Sequence, residues 1–317
     1  LIRKAQLLFE KLLHSTQRVK TTTYHAFCQE ILRRFPLEAD VPPGFELQQE
    51  TLSLQSEAWD KLFSDSTQET NSSVSSALEQ LFAYCGSLHN TKSALLDFLE
   101  HRLDWWLLCE SQEQPLTYAL QKLANHTKLP SLEWDPKSVF SENRLLELAT
   151  FSDLLTNTNQ KHANNIQDLL EFCRSADYQR AFKILVPVFI KKDGQAISRK
   201  VSNAQSKKMG ETGQHAFLDL HTSISESLID SIQEKMAIAN HLANRSWYTA
   251  GSRLIEIYQS IKLSKRLLDF DDLEWHCYQL LQKSESALWV QYKLDSRIDH
   301  LLIDEFQDPN PTQWKLI

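Results

Sequence analysis

Leu301-Leu302-Ile303-Asp304-Glu305-Phe306-Gln307-Asp308 decides the fold. The apolar triplet, with Ile298 upstream, is the pattern of a short strand buried in a parallel sheet. It ends directly in a pair of carboxylates. Open α/β sheets bind their ligands in the crevice outside the carboxyl ends of the strands. Asp304 and Glu305 therefore stand where a hard cation can be held and a water polarised. Pro309-Asn310-Pro311-Thr312 then starts another helix. The bland alternative is an acidic surface turn. The strand before it and Gln307 between the carboxylates argue against that.

Working outward, the same α/β character marks the other end of the chain. Leu7, Leu8, Phe9, Leu12 and Leu13 recur at helical spacing. Residues 18–23 are β-branched and read as a strand. Residues 24–35 follow as a helix stopped by Pro36, which makes a strand–turn–helix fragment of an α/β unit. Pro42-Pro43-Gly44 breaks the pattern, and helical periods then dominate. They predict helices over 50–63, 74–86, 92–109, 114–126, 144–157, 166–174, 218–242 and 247–263, with linkers rich in Ser, Thr and Asn. One basic segment departs from this. Lys191, Lys192, Arg199, Lys200, Lys207 and Lys208 lie in a loop-like stretch with a hairpin turn at Asp193-Gly194. Near the far end, Leu268-Asp269-Phe270-Asp271-Asp272-Leu273 opens a helix running to about Leu281, its Asp residues suited to an N-cap and first turn.

Composition excludes several classes. The chain has 317 residues, 42% hydrophobic and 24% charged, which suits a folded soluble protein. No apolar run is long enough to span a bilayer, and the first residues carry charges without a small-residue cleavage site. Both ends read as cut inside a pattern. The five cysteines are scattered, with no C-x-x-C, which argues against a disulfide framework or a zinc site and fits a reducing cytoplasm. A net charge of −7 does not advertise a nucleic-acid binder, although a local basic track would suffice. The eight Trp residues sit mostly at helical-core spacing, and none is assigned to base stacking. Gly is scarce, with six residues, and no G-x-x-x-x-G-K-[ST] phosphate loop occurs.

Asp304-Glu305-Phe306-Gln307-Asp308 followed by Pro311-Thr312-Gln313-Trp314 resembles motif II of the superfamily 1 DNA helicases related to UvrD, RecB and AddA, which usually reads D-E-F-Q-D-T-[SN]-P-x-Q. Pro309 replaces the usual Thr and affects only the local turn. Thr21-Thr22-Thr23-Tyr24-His25-Ala26-Phe27-Cys28 is similar to the T-x-H-x-[FL] of motif Ib, and Asp269-Phe270-Asp271-Asp272-Leu273 to the family's D-F-x-[DE]-L. Arg34-Phe35-Pro36-Leu37-Glu38-Ala39 and the basic stretch resemble AddA in particular. Taken alone, His25 reads as a core or capping histidine, the Asp cluster as a helix start, and the basic stretch as a solvated loop.

The resemblance implies an α/β RecA-like motor domain, incomplete here, with a large helical insertion. Residues 1–39 and 264–317 would belong to motor domain 1A and residues 40–263 to insertion subdomain 1B. It implies ATP and Mg²⁺ as cofactors, with Asp304 on the metal and Asp304, Glu305 and Gln307 at the nucleotide. Glu305 would be the catalytic base, and Gln307 would couple nucleotide state to DNA. Thr22, Thr23 and His25 would touch single-stranded DNA. Phe270, Asp271, Lys191, Lys192, Arg199 and Lys200 would add contacts to single- or double-stranded DNA. The implied parent is an ATP-dependent helicase of double-strand-break repair and recombination, working at the cytoplasmic nucleoid with an AddB-like partner, and with a nuclease domain outside this chain. The chain alone is expected to lack ATPase activity, because the phosphate-loop Lys and amides are absent. The competing class is a non-catalytic helical DNA-binding or interaction module with a decayed motor signature.

Overall fold

The computed structural model describes residues 21–68, 72–156, 160–201, 203–295, 303–304, 307 and 310–316. Along the chain these form α1 (Tyr24–Arg34), β1 (Glu46–Leu47), α2 (Leu52–Gln68), α3 (Ser73–Cys85), α4 (Leu88–Glu100), α5 (Arg102–Leu108), α6 (Pro115–Thr127), a 3₁₀ turn (Pro136–Val139), α7 (Glu142–Thr156), α8 (Gln160–Arg174), α9 (Tyr178–Phe189), α10 (Asn203–Lys265), β2 (Leu267–Leu268), α11 (Phe270–Gln282), α12 (Ala287–Asp295) and α13 (Pro311–Leu316). Two compact units divide the chain, one of Leu1–Ala119 with Ser246–Ile317, the other of Leu120–Arg245. The second unit lies wholly inside the stretch 40–263, whereas α2 to α5 from that same stretch belong to the first unit.

Two cores build the first unit. In α1, Cys28, Ile31, Leu32 and Phe35 follow the i, i+3, i+4, i+7 spacing of one buried face, and they pack with Leu273, Cys277, Leu280 and Leu281 of α11. Thr23 caps α1 from an extended backbone, its Oγ1 accepting from the Ala26 N–H at 3.2 Å. The other core joins α2 to α5 with the last part of α10, through Trp59, Leu62, Leu78, Leu81, Leu95, Phe98, Leu99, Leu254 and Tyr258. Ser72 and Ser87 cap α3 and α4. Gly86 ends α3 in the left-handed region at φ 75°, where a Cβ would be strained.

A two-stranded parallel ribbon joins the cores. Glu46 pairs with Leu267 and Leu47 with Leu268, with the Glu46 N–H donating to Arg266 O at 3.0 Å and the Gln48 N–H to Leu268 O at 2.8 Å. The ribbon is short, but it fixes where the chain leaves α10 and enters α11. Asp269 is thereby placed against α10 and Glu274 against α1.

In the second unit α7, α8, α9 and the preceding part of α10 enclose Phe151, Leu155, Ile166, Leu169, Leu185, Phe189, Phe217 and Ile224. His221 is buried there, with ring contacts to Phe151 and Phe189. Burial, helped by the nearby Arg199 charge, brings its pKa down to about 4. The native form stays neutral while the unfolded chain protonates at about 6.5. Stability is therefore full above about 6.5 and falls as the pH drops towards 4. We expect a loss on the order of 2–3 kcal/mol across that window. Chemical denaturation of His221→Phe at pH 7 and pH 4.5 checks this, because the variant should lose most of that slope. An unchanged slope would reject it.

Several sequence expectations are corrected. Thr21–Thr23 are not a strand, because Thr23 is spent on capping α1, and residues 18–20 lie outside the described set. The strand expected before Asp304 falls mainly on residues 298–302, also outside it, and Ile303 carries no strand. Among the described residues the only strands are β1 and β2. The stretch 92–109 is two helices that turn at His101. The stretches 218–242 and 247–263 are one continuous helix that also takes in Lys207 and Lys208, with a non-helical backbone at Gly210. The helix α9 has no counterpart among the expected helices, since Pro187 lies inside it. The turn at Asp193-Gly194 is present. Gly194 sits at φ 82°, and Ile190 bridges Ala196 in antiparallel fashion. No disulfide links the five cysteines.

Candidate functional site

The site is the corner where the start of α1, the start of α11 and the segment entering α13 meet, all within the first unit. Asp269 is the N-cap of α11. Its side chain accepts from the Asp272 N–H, and the Asp272 side chain accepts from the Asp269 N–H at 3.0 Å, which closes a reciprocal capping box. The box aims both carboxylates into the protein. There they meet Lys262, which donates to Asp269 Oδ2 at 2.8 Å and also to Asp272. Arg102 bonds Asp269 as well, and its Nη1 lies 2.8 Å from Asp271 Oδ2. The Tyr258 hydroxyl donates to Asp269 Oδ2 at 2.8 Å, and Gln259 Nε2 to Asp272 Oδ1 at 2.9 Å. Burial alone would raise the Asp269 pKa, but Arg102 and Lys262 hold it well below the usual carboxylate range. Burial lifts Asp271 above that range, against the pull of Arg102.

One turn further on, Glu274 is 3% exposed. His25 Nε2 lies 2.9 Å from Glu274 Oε1. Gln313 Nε2 donates to the same oxygen at 2.6 Å, and Asn310 Nδ2 donates to Oε2 at 2.7 Å. Burial would raise the pKa of Glu274. The bonds from His25, Asn310 and Gln313 bring it below the ordinary value instead. Hydrogen bonds to an ionised group contribute roughly 1.5–3 kcal/mol each, so the set holds three separate chain segments together. The His25 side chain is 37% exposed. Phe270 is 38% exposed, with its ring centroid 4.8 Å from that of His25. An open aromatic pair thus sits above a buried carboxylate.

The structure brings Thr23, His25, Phe270 and Asp271 together at this corner. Thr22 is exposed beside them, its hydroxyl donating to Thr23 O at 3.3 Å. Lys191, Lys192 and Lys200 are exposed in the second unit. Arg199 there is turned inward, donating to Val188 O at 2.8 Å with its guanidinium over the Phe151 ring, so it pins its own loop. Asp304 and Gln307 are exposed, whereas Glu305 lies outside the described residues. The exposed Asp304 carboxylate is a hard oxygen donor of the type Mg²⁺ takes, alongside waters and phosphate oxygens. Among the described residues no group of three or more His, Cys, Asp or Glu side chains is placed to hold a metal by itself. No described helix is long and apolar enough to cross a membrane.

Sequence reasoning passed over Glu274, Lys262, Arg102 and Asn310 as site residues. Only Glu274 had a local signal, a charged residue on the face of α11 that also carries Leu273 and Cys277.

Residues 121–317 match the UvrD/REP helicase N-terminal domain. The chain belongs to that family. Membership implies a RecA-like helicase motor, to which the described residues contribute mainly helices. A protein of Enterococcus faecalis (strain ATCC 700802 / V583), named as the AddA-type chain of an ATP-dependent helicase/nuclease, is 23% identical over 324 residues, 93% of this chain and 25% of the relative. One of the same name from Clostridium beijerinckii is 24% identical over 345 residues, 95% of the chain and 26% of the relative. A putative ATP-dependent DNA helicase, YjcD, of Bacillus subtilis (strain 168) is 41% identical over 71 residues, 22% of the chain and 9% of the relative. The chain spans about a quarter of the length of the helicase/nuclease relatives.

Proposed function

We propose that this chain is part of an ATP-driven DNA motor that translocates on DNA and separates its strands in double-strand-break repair and recombination. Residues 1–39 and 264–317 are assigned to motor domain 1A and residues 40–263 to insertion 1B. The observation that carries the reading is the 2.9 Å contact between His25 and Glu274. It joins two motif-bearing segments that are remote in sequence and sets both beside the residues that follow the acidic motif.

In this reading Thr22 and Thr23 present hydroxyls to a phosphate backbone, and Phe270 with His25 presents ring surface to an unstacked base. Lys191, Lys192 and Lys200 add exposed positive charge towards DNA phosphates. Asp304 holds Mg²⁺ with ATP, and the metal supplies neutralising charge at the phosphates. Glu305 takes the proton of the attacking water, and Gln307 reports nucleotide state to the DNA side. No G-x-x-x-x-G-K-[ST] loop stands in these 317 residues, so turnover is assigned to the longer protein. An AddB-like partner and a setting at the cytoplasmic nucleoid are both proposed from the names of the relatives. The same names motivate a nuclease activity elsewhere in the parent.

The test is ATP turnover by the full-length gene product with and without single-stranded DNA. Glu305→Gln should lower DNA-stimulated turnover at least 100-fold, about 2.7 kcal/mol of barrier, while DNA binding persists. Turnover that is absent in both proteins, or unchanged by the substitution, would favour the non-catalytic helical module instead.

A further inference from the structure

We infer that Glu274 is the positioning residue through which DNA occupancy and ATP turnover communicate. The inference rests on the motor reading above and deepens it. Glu274 is buried, yet every hydrogen bond it accepts comes from a segment distant in sequence. His25 Nε2 reaches Oε1 from α1, Gln313 Nε2 reaches the same oxygen from α13, and Asn310 Nδ2 reaches Oε2 from the residue just ahead of α13. Glu274 itself is fixed, since α11 is anchored on both sides of it by Asp272 and Cys277 in the protein interior. The carboxylate is therefore the stationary member of the set, and its three partners are those able to move.

The two sides it connects differ in exposure and in neighbours. On one side His25 leads outward to the open Phe270 ring. On the other, Asn310 and Gln313 lock each other. The Gln313 N–H donates to Asn310 Oδ1 at 2.8 Å, and the Asn310 N–H donates to Gln313 Oε1 at 3.3 Å. That pair therefore moves as one piece. In the sequence it directly follows Asp304-Glu305-Phe306-Gln307-Asp308-Pro309. Gln313 and His25 share one oxygen, so a ligand that draws His25 away from Oε1 frees lone-pair space there and lets Gln313 shorten or redirect its bond. A shift of Gln313 carries Asn310 with it, and with Asn310 the chain that leads back to the acidic residues. Neither an apolar residue nor an isolated ion pair could make this exchange, because it needs one acceptor shared by two donors.

The test compares the full-length gene product with its Glu274→Gln variant. The readout is the ratio of ATP turnover at saturating oligo(dT) to turnover without DNA. The amide keeps the shape of the carboxylate but turns one acceptor into a donor, so one of the two amide partners is opposed. We expect the ratio to fall at least tenfold. A merely structural role would lower both rates together through the folded fraction and leave the ratio as it was. An unchanged ratio in the soluble variant overturns the inference. If that variant is insoluble, Gln313→Leu serves instead, because it leaves Glu274 bonded to His25 and Asn310. A ratio reduced at least threefold supports the inference, and an unchanged one overturns it. Wild-type protein without DNA-stimulated turnover overturns the motor reading itself, and is told apart because it fails before any substitution is made.

Discussion

Lys262→Met lowers the stability of the chain by about 3–5 kcal/mol at neutral pH. Met keeps the length and packing of the lysine stem, so the loss isolates the charge. Lys262 is 1% exposed and is shared between Asp269 and Asp272. Arg102 remains after the substitution, but it is already bonded to Asp269 and Asp271. Two buried carboxylates are then left with one guanidinium at the edge of the set, an arrangement whose desolvation cost is no longer offset. The pH dependence carries the signature. In the wild type the depressed pKa of Asp269 contributes stability that is present above the unfolded carboxylate value of about 3.9 and lost as the pH falls through the folded one. The gap between wild type and variant should therefore narrow on acidification. Urea unfolding at pH 7 and pH 4.5 measures it, and a cost below about 1 kcal/mol at pH 7 would mean that Arg102 alone balances the cluster.

Gly251→Val is the second large effect, about 3 kcal/mol of destabilisation. Gly251 lies in α10, and its role is space rather than backbone freedom. A Cβ there would stand 2.4 Å from Cδ1 of Phe98 and 2.7 Å from its Cε1 and Cγ. Phe98 cannot swing aside easily, since its ring is held among Trp105, Trp247 and Tyr248. The Trp247 indole is itself fixed by donating to Ala94 O at 2.8 Å. Gly251→Ala should cost less, because alanine regains about 1 kcal/mol of helix propensity. Phe98→Leu in the Gly251→Val background should give back at least about 1 kcal/mol relative to additivity, since the two substitutions act on one contact. Additive effects in that cycle would show that α10 has shifted away from α4 instead.

Where the sequence was legible, the determinants are local. The helix α1 could be read because its buried face, its Thr23 cap and the Pro36 stop all lie within one short stretch. The start of α11 could be read from Asp269 and Asp272, three residues apart, and the turn at Asp193-Gly194 from its own dipeptide. Misreadings arose where local signals were weak or conflicting. The stretch 207–210 looked like a basic loop, yet its positive charges ride on a helix whose stability comes from apolar residues further along, such as Phe217 and Ile224. Pro187 hid α9 because a proline inside a helix is normally a stop signal.

By itself the sequence determined the helix-rich character of the middle, the capped entries to α1 and α11, and the motif-bearing residues Thr23, His25, Phe270 and Asp271. These follow from periodicity, capping and residue type, which act over a few residues. Only the tertiary structure decided which charges face one another. Lys262 and Arg102 have no mark in the sequence that assigns them to Asp269, because a lysine on a helix period reads as solvated until another element covers it. Glu274 likewise became the meeting point of His25, Asn310 and Gln313 only when α11 packed against both α1 and α13. A buried carboxylate must find its partners wherever the fold brings donors within reach.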